Sequence, residues 1–76
     1  MNRSEFYQRL KEHNIPNVRV SFDGKTVSEC YCVRKAYYRW EVYFHERGAE
    51  MECVGFPSES DALEYLLSVL LAEHRI

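Results

Sequence analysis

From Tyr38 to Glu46 apolar and polar side chains alternate residue by residue, with Tyr38, Trp40, Val42 and Phe44 set against Arg39, Glu41, Tyr43 and His45. A repeat of two is the period at which a pleated strand sends successive side chains to opposite faces, so the run predicts a strand with one buried and one solvated side. Arg47-Gly48 follows as a tight turn. A two-residue loop there pairs Phe44 with Met51 and Val42 with Cys53, and it sets His45 opposite Glu50 and Tyr43 opposite Glu52. Upstream, Val18, Val20 and Phe22 alternate with Arg19 and Ser21, and Asp23-Gly24 supplies the backbone freedom of a hairpin turn. That turn predicts a second strand from about Lys25 to Arg34, with Phe22 facing Lys25, Val20 facing Val27 and Val18 facing Glu29. Val27, Tyr31 and Val33 then share the inner face with Val20, while Cys30 and Cys32 point the other way. Both registers separate one apolar side from one charged side.

The connection between these two hairpins, Lys35-Ala36-Tyr37-Tyr38, contains no Gly, Asn, Asp or Pro, so its turn type is not written in residue chemistry. An even-numbered loop keeps Val33 beside Trp40 on the core side, whereas an odd loop with a bulge turns Cys30 and Cys32 inward. The even loop is the preferred reading. Before the strands, Phe6 and Leu10 recur at helical spacing over Asn2 to His13, Asn2 with Glu5 resembles a capping box, and Pro16 ends the helix near Asn14-Ile15. After Phe56-Pro57, Ser58 is placed as an N-cap, with Glu59 and Asp61 in a first turn whose dipole favours negative charge. Ala62, Leu63, Leu66, Leu67, Val69, Leu70 and Leu71 cover well over half of that last helix, leaving a polar strip of Glu64, Ser68, Ala72 and Arg75. Such a helix covers a sheet and keeps apolar surface for the first helix or for a second chain. The predicted fold is α+β: a four-stranded antiparallel meander flanked by N- and C-terminal helices (α-β-β-β-β-α), with both helices on one face and the other face open to water.

At 76 residues the chain is one domain, 1–76, close to the smallest size that supports its own core. A composition of 46% hydrophobic and 14% aromatic residues is too rich in core formers for a disordered tail. No run of about 18 apolar residues occurs, and Met1-Asn2-Arg3-Ser4-Glu5 lacks the apolar stretch of a secretion signal. A membrane partner is not expected, and the expected compartment is cytoplasmic. Three cysteines, an odd number, read as reduced thiols rather than a disulfide framework. Formal charge is unevenly divided. Residues 1–40 hold eight basic against four acidic side chains, and residues 41–76 hold two against eight, which gives +4 followed by −6.

Motifs for chemistry are sparse. Gly24, Gly48 and Gly55 are scattered and form no phosphate-cradling loop, so no nucleotide cofactor is expected. Cys30-x-Cys32 with Cys53 lacks the spacing of a tetrahedral zinc site, and the assumed register puts Cys53 on the core side, away from the other two. No metal is expected, and the thiols read as small hydrophobes. A nucleophile-base arrangement would need a cysteine beside a histidine, and Cys30 would lie near Tyr43 and hence near His45, but on an open sheet face, where a cross-strand His45–Glu50 pair is the simpler reading. His13 and His74 end helices, where the dipole favours them. An enzyme is not expected.

Two surfaces remain. Arg34, Lys35 and Arg39 flank Tyr37 and Tyr38, a local mixture of cations and rings that could grip a single-stranded nucleic acid. The sheet face nevertheless presents Glu41, Glu50 and Glu52 where such a protein would carry cations, so nucleic acid is not the expected partner. A protein partner fits better. Tyr37, Arg39, Glu41, Tyr43, His45, Glu50 and Glu52 make up the expected partner-binding set, with tyrosines as rigid anchors and carboxylates steering a basic macromolecule.

The order of several segments carries a resemblance. Tyr31-Cys32-Val33-Arg34-Lys35, Trp40-Glu41-Val42-Tyr43, Glu46-Arg47-Gly48, and then Phe56 with Ser58-Glu59-Ser60-Asp61-Ala62 and Tyr65-Leu66-Leu67 together resemble small immunity proteins of bacterial polymorphic and contact-dependent growth inhibition toxin systems. The similarity covers about half of the chain. It implies a cytoplasmic, non-enzymatic antidote that binds a cognate toxin domain and blocks or distorts its active site, and the acidic sheet expected from the residues suits a basic toxin such as a nuclease. It carries no functional residue set onto this sequence. The chain departs from the pattern at Ala36-Tyr37-Tyr38, where relatives tend to have Gly, Asp or Asn. Two other readings stand beside it: a small homo-oligomeric accessory or regulatory subunit that associates through the last helix, and a weak RNA-binding module.

Overall fold

The structure, a computed structural model, describes residues 1–16, 19–22 and 29–74. Along the chain these form α1 (Arg3–Glu12), β1 (Val20–Ser21), β2 (Cys30–Lys35), β3 (Trp40–Glu46), β4 (Ala49–Phe56) and α2 (Glu59–His74). Among the described residues, no helix is long and apolar enough to cross a membrane.

Both helices begin where their capping residues predict. The Asn2 side chain accepts from the Glu5 backbone N–H at 2.8 Å, and Ser58 Oγ accepts from the Asp61 N–H at 3.2 Å, each satisfying a donor that the first helical turn leaves without a partner. α1 ends on Asn14, whose φ of 58° lies in the left-handed region that Asn tolerates better than most side chains. That geometry lets the Ile15 N–H reach the Leu10 carbonyl at 2.9 Å and the Asn14 N–H reach Lys11 at 3.1 Å. Ile15 is thereby folded back into the core with Leu10, and Pro16 follows where it costs no helical hydrogen bond.

The four strands form one sheet in the order β1-β2-β3-β4, and both helices lie on one face of it. Phe6 and Leu10 of α1 and Ala62, Leu63, Leu66 and Leu70 of α2 are buried together with Val20, Val33 and Val42 of the sheet. Met1 donates from its amino group to Ser60 Oγ at 2.6 Å, and Arg3 pairs with Glu59 at 3.0 Å, fastening the start of α1 to the start of α2. Leu67 and Leu71 also pack against the core. The apolar surplus expected on the last helix is therefore taken up by α1 and the sheet, and among the large apolar side chains of α2 Tyr65 alone stays substantially exposed, stacked on Phe56 at 5.0 Å.

The meander is not wholly antiparallel. β1 runs parallel to β2, with Val20 beside Tyr31 and Ser21 beside Cys32, so the antiparallel pairing expected for Val20 is replaced. Alternation put Val20 on the inner face correctly, but alternation is blind to strand direction. The antiparallel expectation rests on a two-residue hairpin turn at Asp23-Gly24, and β1 covers only Val20–Ser21. The turn expected at Asp23-Gly24, the positions of Val18, Lys25 and Val27, and Arg75 of the polar strip lie outside the described residues.

The remaining pairings are antiparallel. β2 and β3 are joined by the even-numbered loop Ala36–Arg39, which sends Cys30 and Cys32 to the far face as expected but sets Val33 opposite Val42 rather than beside Trp40, whose partner is Lys35. Beyond Arg47-Gly48, Phe44 pairs with Met51 and His45 with Glu50, as the short turn predicts. The ladder then shifts by one residue between Val42 and Phe44, so Val42 faces Val54 rather than Cys53, and Cys53 is exposed instead of facing the core. Glu52 sits in the shift with φ 54°. An inserted residue of this kind is a bulge, and a non-glycine residue adopting it gives little sequence warning.

The phase of α2 yields a direct test. Leu66 is fully buried and Leu67 only half-buried, so Leu66→Ala is expected to lower unfolding free energy by about 2–5 kcal/mol in urea titrations, with Leu67→Ala costing clearly less. Equal losses from the two substitutions would show the helix to be rotated from this placement.

Candidate protein-binding surface

The face away from the helices is built from the outward residues of β2, β3 and β4. With Val33 and Val42 turned inward, the period of two sends Arg34 and Cys32 outward from β2 and Glu41 and Tyr43 outward from β3. The antiparallel register then places Arg34 opposite Glu41 and Cys32 opposite Tyr43.

Arg34 organises this face. Its Nε donates to Glu41 Oε1 at 2.8 Å, its Nη1 donates to Glu50 Oε2 at 2.6 Å, and its guanidinium lies 4.6 Å from the centroid of the Tyr43 ring. Arg39 reaches the same carboxylate from the loop, donating from Nε and Nη2 to Glu41 Oε2 at 3.0 and 2.9 Å. Gly55, opposite Glu41 in the ladder, makes the path possible, because a Cβ there would stand 2.5 Å from Arg39 Cδ. Hydrogen bonds from Arg34 and Arg39 hold the Glu41 carboxyl below the usual glutamate range, against the opposing effect of burial. The same carboxylates keep Arg34 protonated well beyond its ordinary value.

The expected open, acidic display is therefore corrected in three places. Glu41 is only 8% exposed and carries two arginine partners, and Glu50 shares one of them. Tyr43 is only 5% exposed and belongs to a small buried cluster with Cys30 and Cys32. Burial, followed by the neighbouring Cys32, raises its phenol above the ordinary value. Glu52 does not join Glu41 and Glu50. The ladder shift brings it into a cleft of roughly 250 Å³ with Tyr31, Phe44, Glu46, Met51 and Glu73. There Tyr31 donates to Glu73 at 2.6 Å, and burial together with that carboxylate pushes its phenol up to about 12. His45 is half-buried between Cys30 and Glu50, and its Nδ1 is buried without a hydrogen-bond partner.

The loop Ala36–Arg39 contrasts with this self-paired face. Its ends are closed by the Ala36 N–H donating to the Arg39 carbonyl at 2.7 Å. Tyr38, expected on the core side of the third strand, lies outside it, because β3 begins only at Trp40. Tyr37 and Tyr38 are 88% and 89% exposed, with ring centroids 4.6 Å apart and planes at 84°. Lys35, at the end of β2, is exposed and makes no ion pair among the described residues.

Of the predicted set, the structure thus gathers Arg39, Glu41, Tyr43, His45 and Glu50 on one face, puts Tyr37 at its rim, and separates Glu52 from them. Sequence reasoning missed Arg34 as the centre and Gly55 as the opening for Arg39. The first depends on a register that the residues did not fix: with Val33 beside Trp40, Arg34 falls against Arg39, and only the observed pairing of Val33 with Val42 sets it across from Glu41. Gly55 carried no signal, because its role depends on a side chain two strands' width of sequence away. No protein-family model, curated protein or solved structure matches this chain.

Because the Glu41 carboxyl is depressed in the folded state, its contribution is present above the unfolded value near about 4.3 and is lost as pH falls through the folded value. Glu41→Gln is expected to lower Tm at pH 7 and to flatten the fall in Tm on acidification, so that the two curves converge at low pH. A constant offset between them across the acid range would remove the assigned role.

Proposed function

We propose that this chain is a bacterial immunity protein that binds a toxin domain in the cytoplasm and neutralises it by occupancy rather than by chemistry, using the Tyr37-Tyr38 loop and the adjoining sheet face. The exposure of two neighbouring tyrosine rings carries the reading. Burying one large apolar side chain is worth about 1.5–3 kcal/mol, and rings left in water contribute none of this to folding. Tyrosine is also the residue type that dominates binding hot spots, because it supplies a large rigid surface at a small entropic cost. A four-residue loop closed by its own hydrogen bond, between strands whose register is fixed by the core, holds the rings ready. The resemblance to toxin-immunity proteins supports the choice of partner.

The charge logic differs from what composition suggested. Glu41 and Glu50 are already paired with Arg34 and Arg39, so a basic partner gains little from them, and recognition at the loop rests on the rings and on the mixed charges around them. A second reading has one observation in its favour: Lys35, without an ion pair among the described residues, stands beside both rings, an arrangement that also suits single-stranded RNA. The self-association alternative would have to use the half-buried Leu67, Val69 and Leu71 of α2, two of which already pack against the core.

Co-expression with the product of the adjacent upstream gene, followed by pull-down and growth rescue, tests the proposal. Tyr37→Ala combined with Tyr38→Ala is expected to weaken capture by at least about 100-fold, as loss of two hot-spot residues does, and to leave Tm unchanged. Unchanged capture and rescue by the double variant would overturn the assigned surface. A neighbouring product without toxicity would overturn the function, and binding to RNA that weakens steeply with salt would favour the second reading.

A further inference from the structure

The hollow beside the two exposed rings has a charge of its own. Lys35, Tyr37, Tyr38, Arg39, Trp40 and Pro57 line a space of roughly 170 Å³ at the end of the β2–β3 ladder, where Lys35 stands opposite Trp40. This is the volume of about five or six water molecules and falls below the about 300 Å³ at which small-molecule sites begin, so it suits one side chain of a larger partner. None of the described residues that line it is acidic, and two are cations. At the other end of the same ladder the sign reverses, since the cleft beside Tyr31 and Phe44 is lined by the carboxylates of Glu46, Glu52 and Glu73.

The two cations of the hollow are not equivalent. Arg39 donates from Nε and Nη2 to Glu41, and the neighbouring Arg34 is held by Glu41 and Glu50. Lys35 is exposed and makes no ion pair among the described residues, which leaves a hydrated point charge beside two rings whose planes stand at 84°. Water answers that charge in the free chain. Once a partner covers the rings, the ammonium is drawn into a drier setting, where an opposing charge must replace the lost water. A nucleic acid would need a row of cations along its backbone, but the two guanidinium forks nearby are already turned to carboxylates and a single lysine neutralises a single phosphate. One carboxylate needs only one cation, and the methylenes that carry it can lie against the tyrosine rings.

We propose that this hollow receives an aspartate or glutamate side chain of the toxin domain, paired with Lys35 and flanked by Tyr37 and Tyr38. The inference rests on the toxin-binding reading and narrows it: the segment seated at the loop is acidic, whereas composition pointed to a basic partner. A cation placed there would meet Lys35 and Arg39 with no carboxylate among the lining residues to receive it. The hollow therefore rejects as well as attracts, because a like charge held against Lys35 is penalised more heavily than a neutral group.

The test compares capture of the upstream gene's toxin domain by wild type, Lys35→Met and Lys35→Glu, with Tm recorded for each. Tm is expected to be the same in all three, since Lys35 is exposed and outside any ion pair among the described residues. Lys35→Met is expected to weaken capture about 5-fold, as loss of one exposed ion pair does, and to flatten its dependence on salt. Lys35→Glu is expected to weaken it at least about 100-fold. Replacing the acidic residues of the toxin domain by lysine one at a time is expected to find a position that restores capture by Lys35→Glu at least about 10-fold while weakening capture by wild type. Failure of wild type to bind the domain would overturn the toxin-binding reading and this inference with it. If wild type binds and Lys35→Glu binds as well or better, or if no exchanged position restores binding, this inference alone falls. Displacement of the domain by a poly(U) oligonucleotide that Lys35→Met no longer holds would likewise overturn it, assigning the hollow to nucleic acid.

Discussion

Val33 and Val42 face each other at the centre of the sheet, both buried against the two helices, and the rest of the molecule is arranged around that register. Side chains alternate with a period of two, so fixing these two residues inward fixes Cys32, Arg34, Glu41 and Tyr43 outward. A slip of one residue would carry Arg34 beneath the helices and leave a buried charge without a partner, at a cost of several kcal/mol. The apolar side of the hairpin thus determines the polar side. It also explains why the even-numbered loop Ala36–Arg39 prevails, because an odd loop with one inserted residue would set one of the two strands out of phase with the core.

On the outward side, the chain partly seals its own sheet. The Arg34 guanidinium lies over the Tyr43 ring, while its donors hold Glu41 and Glu50. These contacts are unequal. The Arg34–Glu50 pair is substantially exposed and belongs to the class worth about 0–1 kcal/mol, whereas Glu41 is enclosed and depends on its two arginines to remain charged. The outcome is a locally balanced face that draws a charged partner only weakly, next to a loop whose two rings are almost wholly in water. Folding energy is therefore placed in the cores on either side of the sheet, while the two rings at the rim take no part in them.

Local chemistry made much of this legible. Asn2 and Ser58 each accept a hydrogen bond at a helix start, Phe44–Met51 and His45–Glu50 follow from Arg47-Gly48, and the strand period separates Val42 from Glu41 and Tyr43. What was not legible depends on non-local geometry. The direction of β1 cannot be read from Val20 and Ser21, since a strand of either direction presents the same alternation. The displacement of Glu52 arises from a left-handed backbone at a residue type that rarely adopts it, so no glycine or asparagine announces it. Tyr38 continued the alternation of β3 in sequence but not in space, because the ladder ends where Lys35 meets Trp40. Glu41, Glu50 and Glu52 were similar in type and spacing, and only the placement of Arg34 and of the ladder shift distinguished their fates.

The shift at Glu52 also bears on how the molecule behaves among its own copies. β4 ends the sheet, and a long straight strand in that position offers unpaired amides and carbonyls as a template for stacking by further chains. Here the irregularity divides β4 into Ala49–Met51 and Val54–Phe56, two stretches too short and too differently twisted to zip as one, with Glu50 and Glu52 adding charge beside the break. The same residue that left the expected acidic face thus breaks up the sheet margin that would otherwise offer a continuous template for fibrillar association.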